Sequence, residues 1–216
     1  VSAWAISGIL GLALGMAAGA FRGRWPDRLI RGWCLLISST PAFWLAILLL
    51  LVFSVWLGWV PTGLSVPIGV DADSVTFLER LHHAVLPALA LSITGVSSIA
   101  LHTREKMMDV MESDYVLFAR ARGESLRSIV LRHGVRNVAL PAITLQFASV
   151  SEIIGGSVLV EQVFSYPGLG QAAVTAGPLL LGITVITAAI VFGGNLIADL
   201  LYGVVDPKIR RGAAKS

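Results

Sequence analysis

A single cysteine stands among the 216 residues. Cys34 lies in an apolar stretch, so no disulfide can close within the chain and no thiol cluster can hold a metal. It reads as a small buried apolar side chain. Lysine is almost as rare. Lys106, Lys208 and Lys215 are the three, and none follows a glycine, which excludes the glycine-and-lysine loop that cradles the phosphates of ATP. Charge of either sign is scarce, at 13% of residues, where a soluble domain carries about a quarter. A basic start followed by a small-residue cleavage site, the mark of a signal peptide, is missing. The chain begins with Val1 already in apolar sequence, and an upstream portion is expected. No Ser-His-Asp or Cys-His set can be argued, so no catalytic residues are expected.

Apolar residues fill the remainder: 56% of the chain is hydrophobic, with a mean hydropathy of +0.81. They come in long blocks, not in the short stripes of a soluble fold. A spanning helix needs roughly 20 mostly apolar residues. Five segments qualify, at about 3–20, 33–60, 84–101, 138–160 and 179–205. The expected fold is therefore an all-α polytopic membrane protein, a single transmembrane domain over 1–216 with lipid as its solvent. The 33–60 segment is long enough to tilt or to end in an interfacial turn.

Net charge is +3 and the pI about 9.4. Arg22, Arg24, Arg28 and Arg31 fall between the first two spans. Arg104, Lys106, Arg120, Arg122, Arg127, Arg132 and Arg136 fall between the third and fourth, and Lys208, Arg210, Arg211 and Lys215 follow the fifth. Fifteen of the sixteen basic residues thus share one face of an alternating path, with Arg80 alone opposite. Positive charge stays in the cytoplasm, so that face and the C-terminus are expected inside. Trp25, Trp33, Trp56 and Trp59 suit interfacial belts, and base stacking on nucleic acid has no support in such apolar surroundings. Ser74–Leu81, with Val75, Leu78 and Leu81 at helical spacing, suggests a short helix on the outer membrane surface. His82 and His83 are adjacent and so diverge on a helix, and no metal site is expected there.

The inner segment at about 102–137 is dense in mixed charge and helical in propensity. Gly123 interrupts it and should mark a bend or a close contact. Tyr115, Leu117, Phe118, Ile129, Val130 and Leu131 add apolar surface among the charges, as expected of a loop that docks a soluble partner.

The run Asp114-Tyr115-Val116, Ala119-Arg120-Ala121-Arg122-Gly123, Leu131-Arg132-His133, Arg136-Asn137 and Leu140-Pro141 resembles the cytoplasmic coupling loop of dipeptide, oligopeptide and nickel importer permeases. The wider superfamily pattern is Glu-Ala-Ala, three residues, Gly, nine residues, then Ile-x-Leu-Pro. Ala119 and Gly123 fit it; Leu117, Phe118, His133, Val135 and Arg136 depart from it. Val163–Gln171 and Asp199–Tyr202 with Asp206–Arg210 resemble two further family segments, the last in the form of the first of two paired permeases. Here the stretch between Gln171 and the fifth span is a few residues short of the family's usual length. The resemblance implies a type I ABC importer permease fold in the bacterial inner membrane. A second permease, two cytoplasmic ATPase subunits and an extracytoplasmic substrate-binding protein would be its partners. ATP and Mg would belong to the ATPases, with no cofactor on this chain. Phe118, Ala119, Arg120, Arg122, Gly123, Glu124 and Ser125 would couple the ATPase to the spans. Peptides, nickel or metal chelates would be the cargo.

An ionisable residue at membrane depth raises a functional reading by default. Ser149, Glu152 and Gly156 share a helical face in the fourth span, with Gly155 close by, and either line a translocation path or pack against another helix. Gln146 poses the same choice. Asn195 and Asp199 form an i, i+4 pair that suits helix packing, and Glu161 marks either an outer contact or a solvated helix end. Two rival functions remain: a stand-alone secondary transporter using Glu152 for protons, which the inner loop does not suit, and a membrane scaffold with no transport path.

Overall fold

Glycines bring the first and third spans together. The structure is a computed structural model describing residues 2–66, 74–175 and 180–205. Helix α1 (Ser2–Ala20) presents Gly11, Gly15 and Gly19 to α4 (Phe77–Met111). A Cβ added at Gly11 would sit 2.7 Å from that of Ile99, and at Gly15 or Gly19 2.5 Å from that of Thr103 or Met107. Small residues at i, i+4 and i+8 let the two backbones meet, as membrane helices must where no hydrophobic force drives them together. Contacts advance in the same sense along both helices, so α1 and α4 are parallel. The chain must therefore cross back between them.

That return is not the single span expected at 33–60. It is α2 (Trp25–Ser38), then α3 (Ala42–Leu49) extended by the π-helical turns Leu50–Trp56, and the two arms meet at 104°. Pro41 is the physical reason, since it has no N–H to continue the helix and pushes Thr40 out of the helical region. Along α2, Asp27, Cys34 and Ile37 are buried, Arg24, Arg28 and Arg31 exposed, and Trp25, Leu29 and Leu36 form a separate exposed apolar stripe.

The short outer surface helix expected at Ser74–Leu81 is instead, from Phe77 on, the start of α4. Thr76 and Glu79 close a capping box there, which sets the boundary, and Pro87 is accommodated ten residues in. At 35 residues α4 is about 52 Å long, more than a bilayer's hydrocarbon core, and projects beyond it.

After α4 come α5 (Asp114–Ala121), α6 (Leu126–Ile129), a π-helical turn Val130–Gly134, and α7 (Val135–Ala148). The fourth span is kinked too. It breaks at Ser149, where α7 gives way to α8 (Val150–Val163) at 48°. Hydroxyls of Thr144, Ser149 and Ser151 donate back to the carbonyls of Leu140, Gln146 and Ala148, a pattern that bends helices. Helices α9 (Leu169–Thr175) and α10 (Leu180–Val205) complete the described fold. By length and composition α1, α4 and α10 can each cross a membrane, and five crossings result if each bent pair counts as one. Among the described residues there is no strand. Asp73, Lys208, Arg210, Arg211 and Lys215 lie outside the described residues.

Candidate functional site

The charged loop between α4 and α7 is built on a core. Val116 and Ala119 on one face of α5, with Ile129 from α6, pack against Met107, Val110 and Met111 of α4 and Val138 of α7, all buried. The opposite face of α5 is open, with Phe118 71% and Leu117 53% exposed, and Tyr115 and Leu131 are exposed as well. Helix α5 thus holds one face in the core and leaves an apolar face uncovered.

Gly123 ends α5. Its φ is +82°, its N–H donates to the Arg120 carbonyl at 2.9 Å, and the Glu124 N–H donates to the Ala119 carbonyl at 3.1 Å. This is the paired closure by which a left-handed residue satisfies the last carbonyls of a helix. A Cβ at Gly123 would meet nothing within 4 Å, so the demand for glycine is conformational and not steric. Ser125 then accepts from the Ser128 N–H and starts α6. Glu124 accepts from Arg122 at 3.0 Å and has the His133 ring 3.8 Å away, joining the end of α5 to the π-helical turn before α7. Of the seven residues read as coupling, the structure thus exposes Phe118, buries Ala119 in the core, and uses Gly123, Glu124 and Ser125 to shape the turn. Arg120 lines an inner cavity with Arg22, Arg24 and Glu112.

Three of the four path candidates come together. Ser149, Glu152 and Gly156 line a groove of about 200 Å³ with Ala42 of α3 and Leu91, Thr94, Gly95 and Ser98 of α4. The kink at Ser149 leaves Glu152 in the first turn of α8, where the helix dipole favours a negative charge. Gln146 does not join them. It is buried against α1, its amide donating to the Trp4 carbonyl while the Trp4 indole donates to the Gln146 carbonyl at 2.8 Å. That reciprocal pair, with Gly8 leaving room for the amide, locks α1 to α7.

The remaining candidates have structural partners or open surroundings. Glu161 folds back to accept the Gln171 N–H at 2.9 Å and caps α9. His82 and His83 reach the carbonyls of Trp59 and Gly63, tying the loop before α4 to that helix. Asn195 and Asp199 are exposed. Among the described residues, no three His, Cys, Asp or Glu cluster as metal ligands.

Sequence reasoning missed one feature at the inner face. Asp27 of α2 is buried and takes a two-pronged ion pair from Arg104 of α4, at 2.5 Å from Nε and 2.9 Å from an Nη, plus the Gly23 N–H at 2.8 Å. Arg104 had counted only toward the charge bias of the loop. An acid just after Pro26 in an otherwise basic, apolar stretch was the available signal.

Comparison with known proteins bears on the chain as a whole. The profile of the family described as "binding-protein-dependent transport system inner membrane component" matches residues 11–211. The chain is 42% identical over 178 residues to the oligopeptide transport system permease protein AppB of Bacillus subtilis, covering 79% of this chain and 55% of that one. It is 39% identical over 215 residues to the glutathione transport system permease protein GsiC of Salmonella typhimurium, and over 213 to that of Escherichia coli. Those matches cover 96% of this chain and 64% of the relatives, so the chain spans somewhat over half the length of the proteins it matches.

Proposed function

Since the chain belongs to the family of binding-protein-dependent transport system inner membrane components, we propose that it is the permease subunit of an ATP-driven importer of peptides. The observation that carries the reading is the two-faced helix α5. Its inner face is part of the core and its outer face leaves Phe118 and Leu117 to be covered. In this reading a cytoplasmic ATPase covers them, and hydrolysis and the ATP and Mg sites belong to that partner. A second permease completes the pathway and an extracytoplasmic binding protein delivers the cargo. The named cargoes of the relatives, oligopeptides and glutathione, are both peptides, which favours peptide over nickel for this chain. The charge bias supports a cytoplasmic position for α5 and the C-terminus in this reading.

Pull-down of the ATPase with the permease, alongside ATP-dependent peptide uptake into proteoliposomes, tests this. Phe118→Asp should abolish both while leaving the permease inserted, because it puts a charge in the middle of the docking face. Retention of ATPase and uptake by that variant would refute α5 as the docking element. A transport cycle with no ATPase bound would instead revive the stand-alone transporter.

A further inference from the structure

Three hydroxyls, of Thr94, Ser98 and Ser149, line the groove with Glu152, and two of them face it as acceptors. Thr94 Oγ1 spends its proton on the Leu91 carbonyl at 2.9 Å, and Ser149 Oγ spends its own on the Gln146 carbonyl at 2.8 Å. Both hydroxyl oxygens are therefore left with lone pairs, and an ionised carboxylate only accepts. Glu152 itself makes no hydrogen bond or ion pair among the described residues. The five apolar segments contain no lysine or arginine, so nothing along the spans of this chain can neutralise it. An ionised acid at membrane depth is costly, and it persists where a cation visits or resides.

From this geometry we propose that the groove between α3, α4 and α8 is a subsite for a positively charged amino group of the substrate, with Glu152 as its counter-ion. An ammonium carries three donors and no acceptor, the complement of Glu152 with the oxygens of Thr94 and Ser149. The volume of about 200 Å³ suits one amino-acid unit and not a whole peptide. A divalent metal is the poorer fit, because among the described residues lining the groove Glu152 is the one His, Cys, Asp or Glu, a weak donor set. The proposal rests on the importer reading and adds to it what part of the cargo this chain recognises.

The test uses inner-membrane vesicles holding the assembled importer, with Cys34→Ser as background and, as reporter, Ala42→Cys, which lines the groove but is none of its proposed ligands. Two thiol reagents of similar size are compared, cationic aminoethyl methanethiosulfonate and anionic sulfonatoethyl methanethiosulfonate. With Glu152 present the cationic reagent should react at least about tenfold faster, the gain a focused negative site gives a cation. In Glu152→Gln that ratio should collapse toward the ratio seen with free cysteine. Trialanine should protect the reporter while N-acetyl-trialanine should not, and Glu152→Gln should erase the difference.

An unchanged reagent ratio in Glu152→Gln overturns the proposal, as does equal protection by the two peptides. So does a reporter unreactive to both reagents, since the partner permease would then fill the groove. Failure of the importer reading shows separately, as vesicles that take up no peptide with ATP. Uptake that persists with an indifferent groove would refute the subsite alone.

Discussion

Removing either half of the Asp27–Arg104 pair should destabilise the permease more than any surface charge change. The Arg104 side chain is 12% exposed and that of Asp27 4%, so neither has water to fall back on. At an effective dielectric constant of about 20, two charges about 4 Å apart attract by about 4 kcal/mol, and breaking a buried pair on one side typically costs about 3–5 kcal/mol. Asp27→Asn leaves the Arg104 guanidinium buried without its anion. Arg104→Gln leaves Asp27 with the Gly23 N–H alone. Each single change should therefore cost about 3 kcal/mol or more, while Asp27→Asn with Arg104→Gln together should cost less than the two summed. The contrast is the exposed Lys106–Asp109 pair on the same helix, whose loss should cost under about 1 kcal/mol. Thermal unfolding of the purified complex, read by gel filtration of the surviving fraction, gives all four corners of the cycle. A coupling energy below about 0.5 kcal/mol would mean that the two residues act independently and that α2 is not held to α4 by charge.

Three other changes test the remaining joints. Gly123→Ala should cost about 1–2 kcal/mol of loop stability, because its φ is left-handed, and Gly123→Trp should cost no more in the isolated permease, since its Cβ meets nothing; a larger loss of ATPase pull-down for Trp than for Ala would mark the surface the ATPase covers. Gly15→Leu should separate α1 from α4 and strip assembled complex from the membrane, by about 3 kcal/mol or more, as overpacking at a backbone contact does, and normal complex yield would refute the parallel glycine seam. Glu161→Gln should weaken the cap on α9 by about 0.5–2 kcal/mol, read as faster proteolysis between α8 and α9 with ATPase binding unchanged.

Much of this was legible because hydropathy and charge are long-range averages. The five apolar segments and the one-sided arginines need no tertiary contact to be seen, and neither does the glycine that ends α5. The breaks were not legible as breaks. Pro41 sat in view, yet a length criterion merged α2 and α3, because lipid-facing residues on both arms are equally apolar. Ser149 gave even less warning, since serine is ordinary in membrane helices and bends them only when its hydroxyl turns back to the chain. For Gln146 and Glu152, sequence could state only the choice between packing and pathway. The two differ in partner: Gln146 pairs with Trp4, while Glu152 makes no hydrogen bond or ion pair among the described residues. Asp27 was missed because its cation lies 77 positions away, on a helix whose neighbourhood the glycine seam decides.

The placement of these joints suggests how force could travel under the importer reading. The α5 mount is fused through Val116, Ala119 and Ile129 to the inner ends of α4 and α7, so a pull on α5 reaches both helices together. Helix α4 is unbroken over its 35 residues and would carry that pull past the groove. The α7–α8 span is not unbroken, and its kink lies at Ser149, one helical turn from Glu152. A push shared by a stiff rod and a jointed one changes the gap between them most near the joint. Thr94 and Ser98 on the rod and Ser149 and Glu152 at the joint are the residues whose spacing would change. Replacing Ser149 with alanine removes the hydroxyl that bonds back to Gln146 and should straighten the joint. The expected outcome is a permease that still binds its ATPase and still inserts, but in which ATP hydrolysis runs with less peptide moved per turnover. Uptake per ATP equal to that of the unaltered importer would show that the kink is only a feature of packing, and that the groove opens by some other movement.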